Sequence, residues 1–180
     1  MTTATLMFEP FSDAVTTPAR YRIDVFSSTV EDVVASAGGW LFDRAMSGWE
    51  VNVLAGMPSD ARSLQILGIN AVAPAPTVQS LSKAHRTQAL AVAADVFNTD
   101  AHVREIVLAA VERDLAEVTI WGESQPVELR RRTDDLRYRL SSAARAFKTQ
   151  ALAAAALPLC SASTTERFMR VQSTGGPISR

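Results

Sequence analysis

The sequence predicts an α/β fold: a small, mostly parallel sheet of three or four strands, helices chiefly on one face, and a long C-terminal helix. Three observations carry this expectation. Tyr21-Arg22-Ile23-Asp24-Val25-Phe26 alternates as a half-buried strand does, with Tyr21, Ile23 and Val25 on one side. A segment of helical length follows, and then a second strand pattern, Glu50-Val51-Asn52-Val53-Leu54, which is the spacing of a parallel crossover. Finally, Leu129, Leu136 and Ala143, and in parallel Leu140, Phe147 and Ala154, recur every seven residues, the seam of one long amphipathic helix from Pro126 to about Leu157.

Each element has its own local reason. Residues 1–19 hold Thr, Ser and two prolines without a period of 2 or 3.6, and read as a flexible arm ahead of an α/β domain over 20–123. Ser28 and Glu31 have the spacing of a capping box, and Val30, Val33, Val34, Ala37, Leu41 and Ala45 form the stripe of the helix behind it, which stops near Gly48. Gly38-Gly39 inside that helix costs about 1 kcal/mol per glycine relative to alanine, so another backbone is expected to approach there. Met57 to Gly68 reads as a short helix and Ile69 to Ala73 as a weak strand. Thr77 to Phe97 reads as a helix with Val78, Leu81, His85, Ala89, Val92 and Val96 on one stripe. Asp100 restarts the chain as a helix with Val103, Ile106, Val107, Ala110 and Val111 inward, and Glu117 to Trp121 is the last strand. The long basic helix is placed at 124–159 and a flexible tail at 160–180.

Composition narrows the function classes. Cys160 is the only cysteine, so no intrachain disulfide forms and no structural zinc site of the usual kind is available. No signal-peptide pattern opens the chain, and Ala151 to Cys160 is about half the length needed to span a bilayer. These features predict a cytoplasmic protein, and an arginine-rich, alanine-rich composition points to a GC-rich bacterial gene. The formal charge of −1 conceals a split. Residues 124–180 carry ten Lys or Arg against four Asp or Glu, while residues 1–123 carry eight against fifteen.

Candidate sites follow from chemistry at particular positions. Ser27, Ser28 and Thr29, between the first strand and its helix, together with Asn52 on the second strand, are candidate ligand contacts, because ligands of open α/β sheets gather beyond the strand ends. No glycine interrupts that turn, so no dinucleotide fingerprint or phosphate loop is present, and Glu31 and Asp32 occupy the place a phosphate would need. His85 reads as a core histidine and His102 lies in a helix first turn, at the wrong end of the dipole for a protonated ring. Asp134 and Asp135 stand at ion-pair spacing from Arg130, Arg131 and Arg139. No catalytic residue, metal or cofactor is expected. Arg130, Arg131, Arg132 and Arg137, with Leu129, Leu136, Leu140 and Phe147, are the candidate partner-binding set.

The leading expectation is a non-enzymatic interaction or regulatory protein that works through this basic helix, with a protein partner or a second copy of itself. Two alternatives stand beside it. One is a small-ligand-binding or enzymatic α/β domain with its site at the C-terminal ends of the first two strands. The other is nucleic-acid binding through the arginine-rich helix.

Overall fold

The parallel half of the molecule begins where the sequence places it. The computed structural model describes residues 21–55, 61–71, 87–159 and 163–173. Strand β1 (Arg22–Ser27) leads into helix α1 (Val30–Met46), capped by Thr29, whose side chain accepts from the Asp32 N–H. Such a cap contributes about 1 kcal/mol. Thr29, not Ser28, is therefore the capping residue. Strand β2 (Glu50–Ala55), the short helix α2 (Arg62–Ile66) and strand β3 (Asn70–Ala71) follow. Strand β4 (Ala89–Ala93) runs directly into α3 (Ala94–Thr99), and α4 (Ala101–Glu112) restarts at Asp100, whose carboxylate accepts from the His102 and Val103 N–H groups. Strand β5 (Glu117–Trp121) closes the parallel set.

Residues 127–171 depart from the expectation. The chain passes through a 3-10 turn (Val127–Arg132), strand β6 (Thr133–Arg139), helix α5 (Ser142–Ala154) and strand β7 (Thr165–Val171). No continuous helix spans 124–159, and part of the segment read as tail is a sheet strand. Ala89–Ala93, read as helix, is likewise a strand whose five residues are all buried. His85, Cys160 and residues 1–19 lie outside the described residues, as do Met57 to Asp60.

The sheet has seven strands in the order β3-β2-β1-β4-β5-β7-β6. β1 to β5 are parallel, and β7 inserts antiparallel between β5 and β6. It is thus a larger, mixed sheet than the three or four strands expected. Helices cover both faces. α1, α2 and α5 lie over Ile23, Val25, Val51 and Val53. α3 and α4 lie over Phe26, Leu90, Val92, Val118 and Ile120. β1 and β4 sit inside this sandwich, so they are buried on both sides, as central parallel strands are.

The antiparallel wing is held to α1 by a buried ion pair. Lys148 Nζ lies 2.6 Å from Glu166 Oε1, and the two side chains are 1% and 2% exposed. The Gly39 and Trp40 N–H groups donate to the two oxygens of Glu166 at 2.9 and 2.8 Å. Lys148 also donates to the Ala35 carbonyl, 2.7 Å away and one turn before Gly39. Both charges therefore find partners on the flank of one helix. Gly39 leaves room for Leu140: a Cβ there would stand 2.5 Å from Leu140 Cδ1. The glycine pair does serve a close approach, but from a leucine side chain rather than a backbone.

Candidate functional site

Strand order reverses between β1 and β4, because β2 and β3 continue on one side of β1 and β5 on the other. The C-terminal ends of these strands form the edge at which such sheets take ligands. At the reversal, Ser27, Ser28 and Thr29 leave β1 while Ala94 and Asp95 leave β4. Ser28 Oγ donates to Asp95 Oδ2 at 3.0 Å across the gap, and both residues are exposed. Behind them Asp32 collects three donors. Ser27 Oγ and Trp121 Nε1 each donate to Oδ2 at 2.8 Å, and Ser36 Oγ donates to Oδ1 at 3.0 Å. The switch point is thus roofed by an internal polar network in which one carboxylate ties β1, α1 and β5 together.

Asn52 does not join this group. It pairs with Asp24 in the β1–β2 register, three residues short of the Ser27–Ala55 pair, which is about 10 Å along the strand. Its amide donates to Asp24 and Glu50, and the buried Asp24 is further satisfied by Arg22 Nε at 2.8 Å and Thr87 Oγ1 at 2.6 Å. Asn52 belongs to a buried polar cluster in the sheet rather than to the strand-end crevice.

The edge continues past Trp121 into an open cavity of about 380 Å³. Its origin is a mismatch of strand lengths. β5 pairs with β7 only from Val118–Val171 to Ile120–Met169, whereas β6 and β7 pair over seven residues, from Thr133–Val171 to Arg139–Thr165. Beyond Ile120 the β5 chain turns away at Gly122, whose φ of 111° suits glycine and whose missing Cβ would stand 3.3 Å from Ala94 Cβ. The β6–β7 hairpin carries on alone, leaving a notch walled by Trp121, Gly122 and Glu123 on one side and by Asp135, Arg137, Arg167 and Met169 on the other. Sequence reasoning had named only Arg137 and Asp135 among these polar residues, in other roles. The signal for the notch is tertiary and is absent from any local window.

The candidate partner-binding residues are dispersed. Leu129 is buried in the α4-side core. Leu140 is buried and Leu136 half-buried on the α1 side. Phe147 is 45% exposed and stacks on Phe42 at 4.7 Å. Arg130, Arg131 and Arg132 are exposed in the last turn of the 3-10 segment, and Arg137 stands on β6. Asp134 and Asp135, neighbours on a strand, face opposite sides, and Asp134 accepts from Gln172 Nε2 at 2.6 Å. His102 is exposed on α4.

Among the described residues two titratable groups are perturbed. Burial pushes the Glu166 carboxyl above its ordinary value of 4.5, against the opposing pull of Lys148 and the Gly39 and Trp40 N–H groups. Burial, reinforced by the charge and hydrogen bond of Asp43, raises the Tyr138 hydroxyl.

No family model matches the chain. No curated protein matches it in sequence. Solved structures share its fold. A deacetylase of the teicoplanin pathway in complex with teicoplanin superposes with a TM-score of 0.59 at 12% identity, over 86% of this chain and 99% of that one. A deacetylase of an antimicrobial pseudoaglycone gives 0.55 at 18%, over 88% and 100%. A zinc-inhibited form of the teicoplanin deacetylase gives 0.56 at 14%, over 86% and 100%. At these identities the likeness establishes the architecture. It also overturns the leading expectation. The fold is one that enzymes use, and the helix through which a non-enzymatic interaction or regulatory protein would have acted is a turn, a strand and a shorter helix. The same remodelling removes the rod on which the nucleic-acid alternative rested.

The zinc in one neighbour's description raises the question of whether this edge could hold a metal. Among the described residues no three His, Cys, Asp or Glu side chains are grouped as ligands. Asp32, the most enclosed acid of the crevice, has N–H and O–H protons turned toward both its oxygens, and an indole N–H can only donate. A cation at Asp32 would meet those protons, so the described residues of this edge do not fit a metal. Among the described residues no helix is long and apolar enough to cross a membrane.

Proposed function

We propose that the protein is a small-molecule-binding α/β domain of enzyme architecture. Its site runs along the C-terminal edge of the sheet, from the Ser28–Asp95 lip to the notch beside Trp121. The observation that carries this reading is the notch itself, an open cavity of about 380 Å³ at the strand ends where α/β sheets bind ligands. The likeness to glycopeptide deacetylases supports an enzymatic use of that edge, with amide hydrolysis as the reaction class to try first.

For that chemistry the chain offers Asp95 as a general base. The carboxylate is exposed on the lip, held in place by the Ser28 hydroxyl, and free to take a proton from an attacking water. Asp32 is a positioning residue, since its oxygens are occupied by Ser27, Ser36 and Trp121. The test pairs two measurements: thermal shift with N-acetylglucosamine, N-acetylated amino acids and short peptides, and acetate release from the acetylated members. Stabilisation by at least one compound, with acetate release lost in Asp95→Asn at unchanged melting temperature, supports the reading. A ligand at a hundred times its Kd stabilises by about 2.7 kcal/mol, so a flat response across the panel, with no acetate released, sinks it.

A further inference from the structure

Four charged side chains on the walls of the notch have no partner among the described residues. Arg137 and Arg167 are directly opposite each other in the β6–β7 register, and both are exposed. Like charges in that position destabilise a sheet, and neither guanidinium makes an ion pair or a side-chain hydrogen bond among the described residues. Asp135 stands two residues before Arg137 on the same strand face, about 7 Å along the strand. Glu123 lies on the opposite wall, just past the end of β5. Neither acid is ion-paired either. Asp135 therefore gives the notch an acidic end about 7 Å from the basic pair.

We infer that the notch is a binding site for a small amphoteric molecule, with its carboxylate or phosphate across Arg137 and Arg167 and its amine toward Asp135. This rests on the ligand-edge reading above and adds the substrate class. Two guanidiniums side by side offer the planar forks of donors that carboxylates and phosphates accept in pairs. An anion between them also relieves the repulsion that the bare hairpin carries. The acidic end sets the selectivity. A polyanion such as a nucleic acid would bring phosphates against Asp135, whereas a molecule with an ammonium about 7 Å from its anion matches both ends. Met169 shares the strand face of Asp135 and Arg167, so the middle of the ligand need only be compact and weakly polar.

The probes are glycylglycine, its N-acetyl and C-terminal amide derivatives, 3-aminopropyl phosphate, whose span matches the dipeptide's, and inorganic phosphate, titrated into the ¹⁵N-labelled full chain. Glycylglycine or 3-aminopropyl phosphate should shift the Gly122, Arg167 and Met169 amides. Which of the two binds more tightly tells carboxylate from phosphate. Blocking either end of glycylglycine should weaken binding about tenfold or more, since each end would lose a charge-assisted contact. Arg137→Gln and Arg167→Gln, both at exposed positions, should do the same with spectra otherwise preserved, and Arg167→Lys should retain part of the affinity. The proposal is overturned if no probe shifts these signals, if end-blocked peptides bind equally well, or if the glutamine variants bind as the parent does. Shifts confined to Ser28 and Asp95 and indifferent to both glutamine variants would overturn it while leaving the ligand-edge reading in place.

Discussion

The two wings of the sheet obey different rules. In the parallel wing, β1 to β5, the local pattern agrees with the packing except at β4: the α1 stripe of Val30, Val33, Val34, Ala37 and Leu41 is buried, and so is the α4 stripe of Val103, Ile106, Val107, Ala110 and Val111. In the antiparallel wing, β6, α5 and β7, the local signal misleads. Leu129, Leu136 and Leu140 look like one helical seam, yet Leu129 packs on the α4 side and the other two on the α1 side. What organises this wing is long-range. Glu166 on β7 reaches Gly39 and Trp40 on α1 and Lys148 on α5. Local sequence specifies most of one wing, and a buried polar knot specifies the other.

Breaking the knot should therefore have the largest effect. Glu166→Ala leaves the Lys148 ammonium buried without its counter-ion and two helix N–H groups without their carboxylate. Removing one partner of a buried pair costs about 3–5 kcal/mol. Urea unfolding of Glu166→Ala should show a loss of that size. A loss under about 1 kcal/mol would mean that the wing is held by its apolar contacts alone.

Next in size is the contrast between Leu129 and Phe147, which a single helical seam would make equivalent. Leu129→Ala empties a site that is 1% exposed and should cost about 2–5 kcal/mol. Phe147→Ala removes a ring that is 45% exposed and stacked on Phe42, and should cost about 0.5–1.5 kcal/mol, mainly the ring contact. Equal losses in the same unfolding assay would contradict the division into two wings.

Much of this was legible in the sequence, and the reason for each miss is physical. The strands β1, β2 and β5 and the helices α1 and α4 announce themselves by period and capping chemistry. β4 does not: Ala89-Leu90-Ala91-Val92-Ala93 is buried on both faces, so it lacks alternation, and its alanines fit a helical stripe equally well. β6 does alternate, with Leu136 and Tyr138 toward α1 and Asp135, Arg137 and Arg139 away from it, but its charges also sit at helical ion-pair spacings. β7 hides among Ser and Thr neighbours. Of the candidate site, the Ser27–Thr29 turn could be read as a strand-end crevice. Asp95, Glu123 and Arg167 could not, because only the tertiary register brings them to the same edge.

Gly39 tests how closely the two wings fit. Gly39→Ala gains up to about 1 kcal/mol of helix propensity, but its Cβ would stand 2.5 Å from Leu140 Cδ1 and 3.1 Å from Cγ. Overpacking of this kind costs about 1–3 kcal/mol, so a net loss of about 0–2 kcal/mol is expected. In the Gly39→Ala, Leu140→Ala double-mutant cycle the two changes should couple favourably, since the smaller side chain makes room for the new methyl. Additive losses would mean that Leu140 moves aside freely and that the glycine is not required by the contact.

The smallest effect is in pH dependence, and it asks which force governs the knot. Burial raises the Glu166 carboxyl above 4.5, with Lys148 pulling the other way. A carboxyl raised in the folded state binds its proton more tightly there than in the unfolded chain. Its contribution is therefore fully present below the unfolded value and is lost as pH rises through the folded one. The parent's stability measured against Glu166→Gln, which cannot titrate, should then fall between about pH 4.5 and the raised value. The slope is less than the one-proton ceiling of about 1.4 kcal/mol per pH unit. If the difference instead grows as pH rises, the attraction of Lys148 outweighs desolvation. The wing would then be fastened by charge, and adding salt should not weaken it, because a pair so deeply buried is screened little.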